Sequence, residues 1–538
     1  MFKGHPKGLI GAALANMGER FGFYTMMAIL VLFLQSKFGL NGKDAGLIYS
    51  IFYFSIYILA FVGGLIADKL RNFKGVILTG LIVMALGYVI MAVPTPVPEG
   101  NKTAFLFISI IGLFVIAFGN GLFKGNLQAL VGQMYDKEMS DDTTKRDSGF
   151  SLFYMFINVG AIFAPFAAII VRNWWLGKSG LGYDANLPAL CHAQIDKELL
   201  PTRVVGTGVL DHAQASVEKV FVLDPISQFQ ALAQKVSENF SIADFDPQQF
   251  AHHYLDVFNT GFHYAFATAI AAMAISLVIY LFNLKTFPSV NKTNDEDASG
   301  ATKQKVEMSA KEIKQRLYAL FAVFGVVIFF WFSFHQNGLT LTMFARDYTV
   351  LSGIKINLGF TTIEGAEIFQ SINPIFIVLL TPIIMGVFGW LKNKGKEIST
   401  PRKIAIGMGI AGSAYVVMAL GSAGLPLHSD IAGSPLTDAQ KVTPLLLIGT
   451  YLILTIAELF ISPLGISFVS KVAPPKYQGI MQGGWLGATA VGNQLLFIGA
   501  ILYESIPIWM TWSVFVIATS ISMFTMLFMV KWLERITK

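Results

Sequence analysis

The sequence contains one cysteine, Cys191, in 538 residues. That excludes an internal disulfide framework and any CxxC metal site. Charge is also scarce: Lys, Arg, Asp and Glu make up 13% of the chain, where a soluble domain carries about 25%. The net charge of +6 comes with no basic arm and no zinc-finger spacing, so nucleic acid is not an expected partner. HExxH, GxxxxGK[ST] and a nucleophile elbow between strand and helix are all missing. An enzyme is therefore the least expected class, and no cofactor or metal is expected. No cleavable leader is expected either, since the first apolar segment follows a short basic stretch and carries charges too specific to be discarded. What is plentiful is apolar: 54% hydrophobic residues, 46 Phe and 50 Gly, with a mean hydropathy of +0.60. Glycine is commoner in membrane helices than in soluble ones, and the composition is that of a polytopic membrane protein.

Apolar segments of about 20 residues recur, each long enough to cross about 30 Å of hydrocarbon. They lie near 10–34, 45–67, 75–93, 104–130, 149–172, 259–284, 317–343, 366–391, 403–424, 444–470, 479–503 and 508–532. The expectation is an all-α membrane protein of about twelve transmembrane helices. Lys and Arg in short loops set orientation. Lys69, Arg71 and Lys74 follow the second segment, and Lys392, Lys394, Lys396, Arg402 and Lys403 follow the eighth. With Lys531, Arg535 and Lys538 in the tail, all fall on one side if the N-terminus is cytoplasmic. Both termini are thus placed inside, in a bacterial inner (cell) membrane, with lipid around the chain and a monomer favoured.

Two polar interruptions divide the chain. Residues 285–316 separate an N-terminal six-helix half (1–284) from a C-terminal one (317–538). The first part of this cytoplasmic segment reads as a flexible linker, the second as a short amphipathic helix along the membrane. The other interruption, about 173–259, lies outside and is too long for a simple loop. Its stretch DPISQFQALAQKVSENF has helical spacing, so a small folded insert is expected. The adjacent His252 and His253 lack a third ligand at useful spacing and read as a surface pair.

Charges inside the apolar segments ask for another explanation. NMGERFGFYTMMAIL, Asn16–Leu30, sets Glu19 beside Arg20. Each such charge at a bilayer centre costs roughly 2.5–3.5 kcal/mol on insertion scales and marks function by default. Further along stand AFGNGLFKGN (Ala117–Asn126), FSLFYMFINVGA (Phe150–Ala161), QSINPIFIVLLTP (Gln370–Pro382) and ELFISPLGISFVSKVAP (Glu458–Pro474). GGLIADKLRNFKG, Gly63–Gly75, resembles the loop after helix two of the major facilitator superfamily, and twelve helices in two halves of six is that superfamily's layout. There the substrate site lies between the halves near the midplane. Taken in order, the five stretches resemble signatures of the proton-dependent oligopeptide transporter family. The resemblance covers nearly the whole chain except the outer insert.

A peptide is a zwitterion with variable side chains, so its site needs cations at one end, an anion at the other and apolar room between. Arg20 and Lys124 can supply the positive end and Glu458 the negative one. Asn158 and Asn373 offer amides, with Ser462 near Glu458, and Tyr24, Tyr57, Trp331 and Trp485 offer aromatic walls. The resemblance implies these duties at the same positions. Asn16, Arg20, Tyr24 and Met27 share one helix face by their spacing. For Trp331 or Tyr57 alone, packing is the favoured reading, and for the charges a structural ion pair is the alternative.

The chain also departs from the family. Asn16 stands where the family has a glutamate that takes up a proton, and Phe23 replaces a tyrosine. Met27 and His335 replace an arginine and an acid that often pair in relatives, so both ends of one salt bridge change together. Glu19, Glu458 and His335 remain as proton-coupling candidates, although a packed, hydrogen-bonded role suits His335 better. The expected function is import of di- and tripeptides by alternating access, driven by protons. Rival readings are a transporter of another anionic or zwitterionic solute such as nitrate, an uncoupled facilitator, and a receptor or scaffold acting through the insert.

Overall fold

A computed structural model describes residues 4–97, 102–138, 143–196, 225–238, 240–288, 308–396, 398–431, 435–474 and 477–537. Among them, twelve helices are long and apolar enough to cross a membrane. Spans 1 to 6 are Leu9–Phe38, Gly42–Leu70, Phe73–Ala92, Lys102–Tyr135, Gly149–Lys178 and Pro247–Asn283. Spans 7 to 12 are Ala310–Tyr348, Ala366–Asn393, Thr400–Gly421, Pro444–Val469, Ile480–Ser505 and Ile508–Ile536.

Local signals start and stop these helices. Span 1 ends at Gly39, whose φ of 57° is the left-handed geometry glycine adopts without penalty. Asn41 then caps span 2, accepting from the Asp44 N–H at 2.7 Å. Asp246 caps span 6 with Pro247 at its first position, and Thr443 with Pro444 does the same for span 10. Helix approach depends on small residues. A Cβ on Gly63 of span 2 would come within 2.1 Å of the Gly121 carbonyl of span 4, so only glycine permits this crossing.

Spans 1, 5 and 6 pack together, as do spans 2, 3 and 4, with span 3 also on span 6. In the other half, span 9 packs on spans 10 and 12, span 7 on spans 11 and 12, and span 8 on span 10. The two groups meet through span 2 against span 11 and span 5 against span 8. Span 1 is the most enclosed of the twelve, which is why polar side chains on it face protein rather than lipid.

Three features differ from the sequence reading. Span 6 begins at Pro247, twelve residues before the apolar run at 259, because Ala251, Tyr254, Leu255 and Phe258 form a helical stripe buried against the insert. Hydropathy alone marks only the lipid-facing part. Residues from Ala310 to Arg316, expected in a separate amphipathic helix, instead open span 7, capped by Ser309; residues 289–307 of the expected linker lie outside the described residues. Span 7 is also broken. Its helix stops at Phe334, passes through a 3-10 turn at His335–Gly338 and resumes at Thr340. The break is tolerated because the Asn337 carbonyl accepts from Tyr451 Oη at 2.8 Å and Gln370 Nε2 at 3.0 Å.

The insert contains helices Leu187–Ile195 and Pro225–Val236, the second within the stretch read as helical. It is tied to the first six spans. The bridge between Leu181 and Ser237 closes the insert on itself, while Tyr254 Oη of span 6 donates to the Gly182 carbonyl at 3.2 Å and His192 Nε2 donates to the Ser36 carbonyl of span 1 at 2.7 Å. Burial holds the His192 imidazole below its usual range, so it meets Ser36 as a neutral donor. The expected insert residues 197–224 and 239 are outside the described set.

Candidate substrate site

Glu19 and Arg20 close on each other. Arg20 Nε donates to Glu19 Oε2 at 2.5 Å and Nη2 to Oε1 at 2.7 Å, in a site where Glu19 has no exposure. Asn120 of span 4 adds a third donor, Nδ2 to Glu19 Oε1 at 2.5 Å. Arg20 Nη1 has no partner among the described residues, so one edge of the guanidinium stays available. One turn past Asn120, Lys124 sets its ammonium 4.0 Å from the centroid of the Tyr57 ring on span 2. A desolvated cation over an aromatic face gains about 2 kcal/mol. Both cations, with the residues that hold them, thus belong to spans 1, 2 and 4.

The anion stands in the other half. Asn373 of span 8 donates through Nδ2 to Glu458 Oε2 at 2.9 Å and to Thr455 Oγ1 at 3.0 Å. Glu458 Oε1 takes no bond from a described residue. Tyr24 and Tyr57 each lie within range of both Arg20 and Glu458, so the two clusters are neighbours across the halves. Ser462 lies one turn beyond Glu458 and is half-buried.

Other expected site residues are placed differently. Trp485 is buried, its ring filling the space beside Gly465 that a Cβ would take. Asn158 is 4% exposed and its Nδ2 donates to the Tyr154 carbonyl one turn back. Trp331 stacks on His335 with centroids 4.8 Å apart at 20°. His335 Nδ1 donates to Asn493 Oδ1 at 2.5 Å, and the Tyr53 ring of span 2 lies 4.8 Å from its ring. His335 is thus held by packing from both halves. Met27, the other end of the replaced pair, is buried and apolar. Of the expected surface pair, His252 is half-buried and His253 exposed.

Sequence reasoning missed several contributors. Asn120 and Thr455 sit inside or beside quoted stretches, one turn from Lys124 and Glu458 respectively, so helical spacing alone could have found them. The links between halves near the insert had no such signal. Arg172 of span 5 pairs with Glu367 of span 8, both buried, and Arg172 Nη2 also donates to the Glu364 carbonyl at 3.1 Å. Asn173 Nδ2 donates to the Thr362 carbonyl at 2.8 Å. Arg346 of span 7 donates through Nη1 to Gln35 of span 1 at 2.5 Å. Glu504 of span 11 accepts from the Gly42 N–H, and from the Lys43 N–H at 3.2 Å, at the N-terminus of span 2, where the helix dipole favours a carboxylate.

A family model described as the POT family matches residues 74–190 and 284–509, well over half of the chain. The chain belongs to the POT family. It is 29% identical to Peptide transporter YePEPT of Yersinia enterocolitica, covering 91% of this chain and 87% of that protein. It is 25% identical to Dipeptide and tripeptide permease A of Escherichia coli (89% and 80%) and 26% identical to the Di-/tripeptide transporter of Lactococcus lactis (92% and 89%). Two solved structures share its fold. A peptide transporter POT in complex with sulfate superposes with a TM-score of 0.68 at 21% identity, covering 100% of this chain and 96% of the other. A POT family transporter in complex with 5-aminolevulinic acid gives 0.67 at 21%, covering 100% and 98%. The POT family is the one that the five sequence stretches resemble, and its members are transporters rather than enzymes.

Proposed function

We propose that this protein is a secondary transporter that imports di- and tripeptides by alternating access, coupled to protons. The observation that carries the reading is the division of charge. Arg20 and Lys124 stand in the N-terminal half, and Glu458 with Asn373 in the C-terminal half. A zwitterion bridging that space touches both halves at once. Its binding energy therefore depends on how the halves sit, which is what a transporter needs if substrate is to bias its conformations. The names of the relatives support peptides as cargo. The site is completed within one chain. We place both termini in the cytoplasm of a bacterial cell and the insert outside, from the Lys and Arg of the short loops.

Coupling runs through Glu19. Deprotonated, it holds one edge of Arg20 through Nε and Nη2. Protonated, it releases Arg20 for the peptide carboxylate, so proton entry and peptide binding favour each other. Asn16 gives a second reading, a facilitator that has lost coupling, because an amide replaces the carboxylate expected one turn before Arg20. Uptake of labelled di- and tripeptides into liposomes, with and without an inward proton gradient, decides between them. Accumulation only with the gradient supports symport. Equilibration without accumulation selects the facilitator, and no uptake overturns both.

A further inference from the structure

The internal stretch that the family model leaves out, 191–283, begins inside the insert. The insert builds one wall of a cavity of about 430 Å³. That wall carries Asn186, Ala189 and His192; the facing wall carries Arg346, Asp347 and Glu504 of the C-terminal half. The insert is anchored to the first six spans, so the cavity lies across the seam between the halves. Gln35 and Arg346, which tie span 1 to span 7, are both part of its lining.

The charged groups here are not equally committed. Glu367 depends on Arg172, and its Oε2 has no hydrogen-bond partner among the described residues. Removing Arg172 from it strands a carboxylate. Asp347 is different. It accepts from Arg346 at 2.6 and 2.9 Å, and also from Tyr503 Oη at 3.0 Å, with His428 Nε2 at 3.5 Å. It can release Arg346 and remain partnered. Arg346 is also the more accessible arginine, its side chain 15% exposed against 1% for Arg172. A second carboxylate arriving in the cavity therefore meets an exchangeable guanidinium.

We propose that this cavity is a capture site for short zwitterionic peptides, with Arg346 taking the peptide carboxylate and the acidic lining at Asp196 and Glu504 facing the ammonium. The inference rests on the peptide reading above and adds a second, earlier site to it. When the incoming carboxylate draws Arg346 away, the bond to Gln35 opens, and one tie between spans 1 and 7 is lost. Arrival of cargo thus loosens the seam through which it must pass. The insert becomes part of the transport path rather than an appendage.

The test uses the whole chain carrying Ala189→Cys. Ala189 is exposed, whereas the native Cys191 is buried and burial pushes its thiol up, so it stays unreactive. Labelling by a membrane-impermeant maleimide is followed with and without a labelled-site competitor, the dipeptide Ala-Ala. The dipeptide is expected to slow labelling roughly fivefold or more, and its C-terminal amide to have little effect, since a charge-assisted bidentate contact is lost. Protection should persist when Glu458→Gln weakens the central site, and disappear with Arg346→Lys. Absence of protection, or protection that vanishes with Glu458→Gln, overturns the capture site. Wild-type uptake in liposomes is measured alongside. Uptake without protection refutes the capture site alone, whereas protection without uptake refutes the transport reading and leaves the capture site standing.

Discussion

Among the described residues two arginine–carboxylate pairs are buried on both sides, and they differ in one respect that sets their roles. Glu19 and Arg20 are neighbours on span 1, so the pair opens or closes without any movement of the halves. Arg172 and Glu367 are 195 residues apart, on spans 5 and 8, so that pair breaks only when the halves part. The chemistry is the same. A pair within one body is free to exchange partners with a ligand or a proton, whereas a pair across two bodies holds a conformation. The neighbours agree with this division. Glu19 has Asn120 as a further donor and keeps a partner when Arg20 leaves, but Glu367 has one oxygen already without a partner among the described residues.

The largest expected effect comes from breaking the pair between the halves. Glu367→Gln leaves Arg172 as a buried unpaired cation, at a cost of roughly 3–5 kcal/mol to the state in which the seam is closed. Opening on the insert face should rise accordingly, read as faster maleimide labelling of a cysteine at Leu32, a residue lining the cavity. The double variant Arg172→Met with Glu367→Leu strands no charge and should recover much of that loss. If the single and double variants label alike, Arg172–Glu367 is not a lock.

A smaller effect is expected where the halves share a substrate. Glu458→Gln keeps the bond geometry with Asn373 but removes the charge for the ammonium. Binding of a zwitterionic dipeptide should weaken about 10- to 100-fold, the value of a charge-assisted hydrogen bond. An N-acetylated dipeptide should lose much less. Equal losses would remove Glu458 from the ammonium site.

Breaking the pair within span 1 should change coupling rather than conformation. Glu19→Gln is permanently neutral, so Arg20 is always available and peptide binding no longer calls for a proton. Gradient-driven accumulation should fall to equilibration, while exchange of peptide for peptide continues. Loss of exchange as well would mean that Glu19 holds the site together and does not couple it.

These contrasts mark what the sequence can carry. Twelve spans were legible because each is a run of apolar residues long enough to cross the bilayer, and the charges within them stood out against it. Asn16, Arg20, Tyr24 and Met27 could be set on one face by spacing alone. The break at His335 was not legible, because its stability depends on Tyr451 and Gln370, far along the chain, reaching the Asn337 carbonyl. Arg172 and Arg346 gave no signal in the sequence, since a basic residue near a span end is ordinary where long side chains reach toward the interface. Only the fold supplies Glu367 and Gln35 as their partners across the seam. The start of span 6 was missed for the same reason, since its first three turns are shaped by the insert rather than by lipid.

The smallest effect sharpens the comparison from the side of the proton. Asn16 lies one turn before Arg20 and is 5% exposed, and Glu19 leaves the guanidinium open at Nη1. A glutamate four residues before an arginine is the favourable order on a helix. Asn16→Glu should therefore add a second carboxylate to the same cation without stranding a charge. Two carboxylates sharing one cation repel each other, which favours a proton on the pair. Proton-driven uptake should then persist to higher pH, by about one pH unit or less, with little change in maximal rate, as measured by peptide uptake at a series of external pH values. A shift toward lower pH would mean that the two carboxylates are separately partnered. No shift at all would mean that position 16 does not reach Arg20, and the span 1 pair would then be complete as it stands.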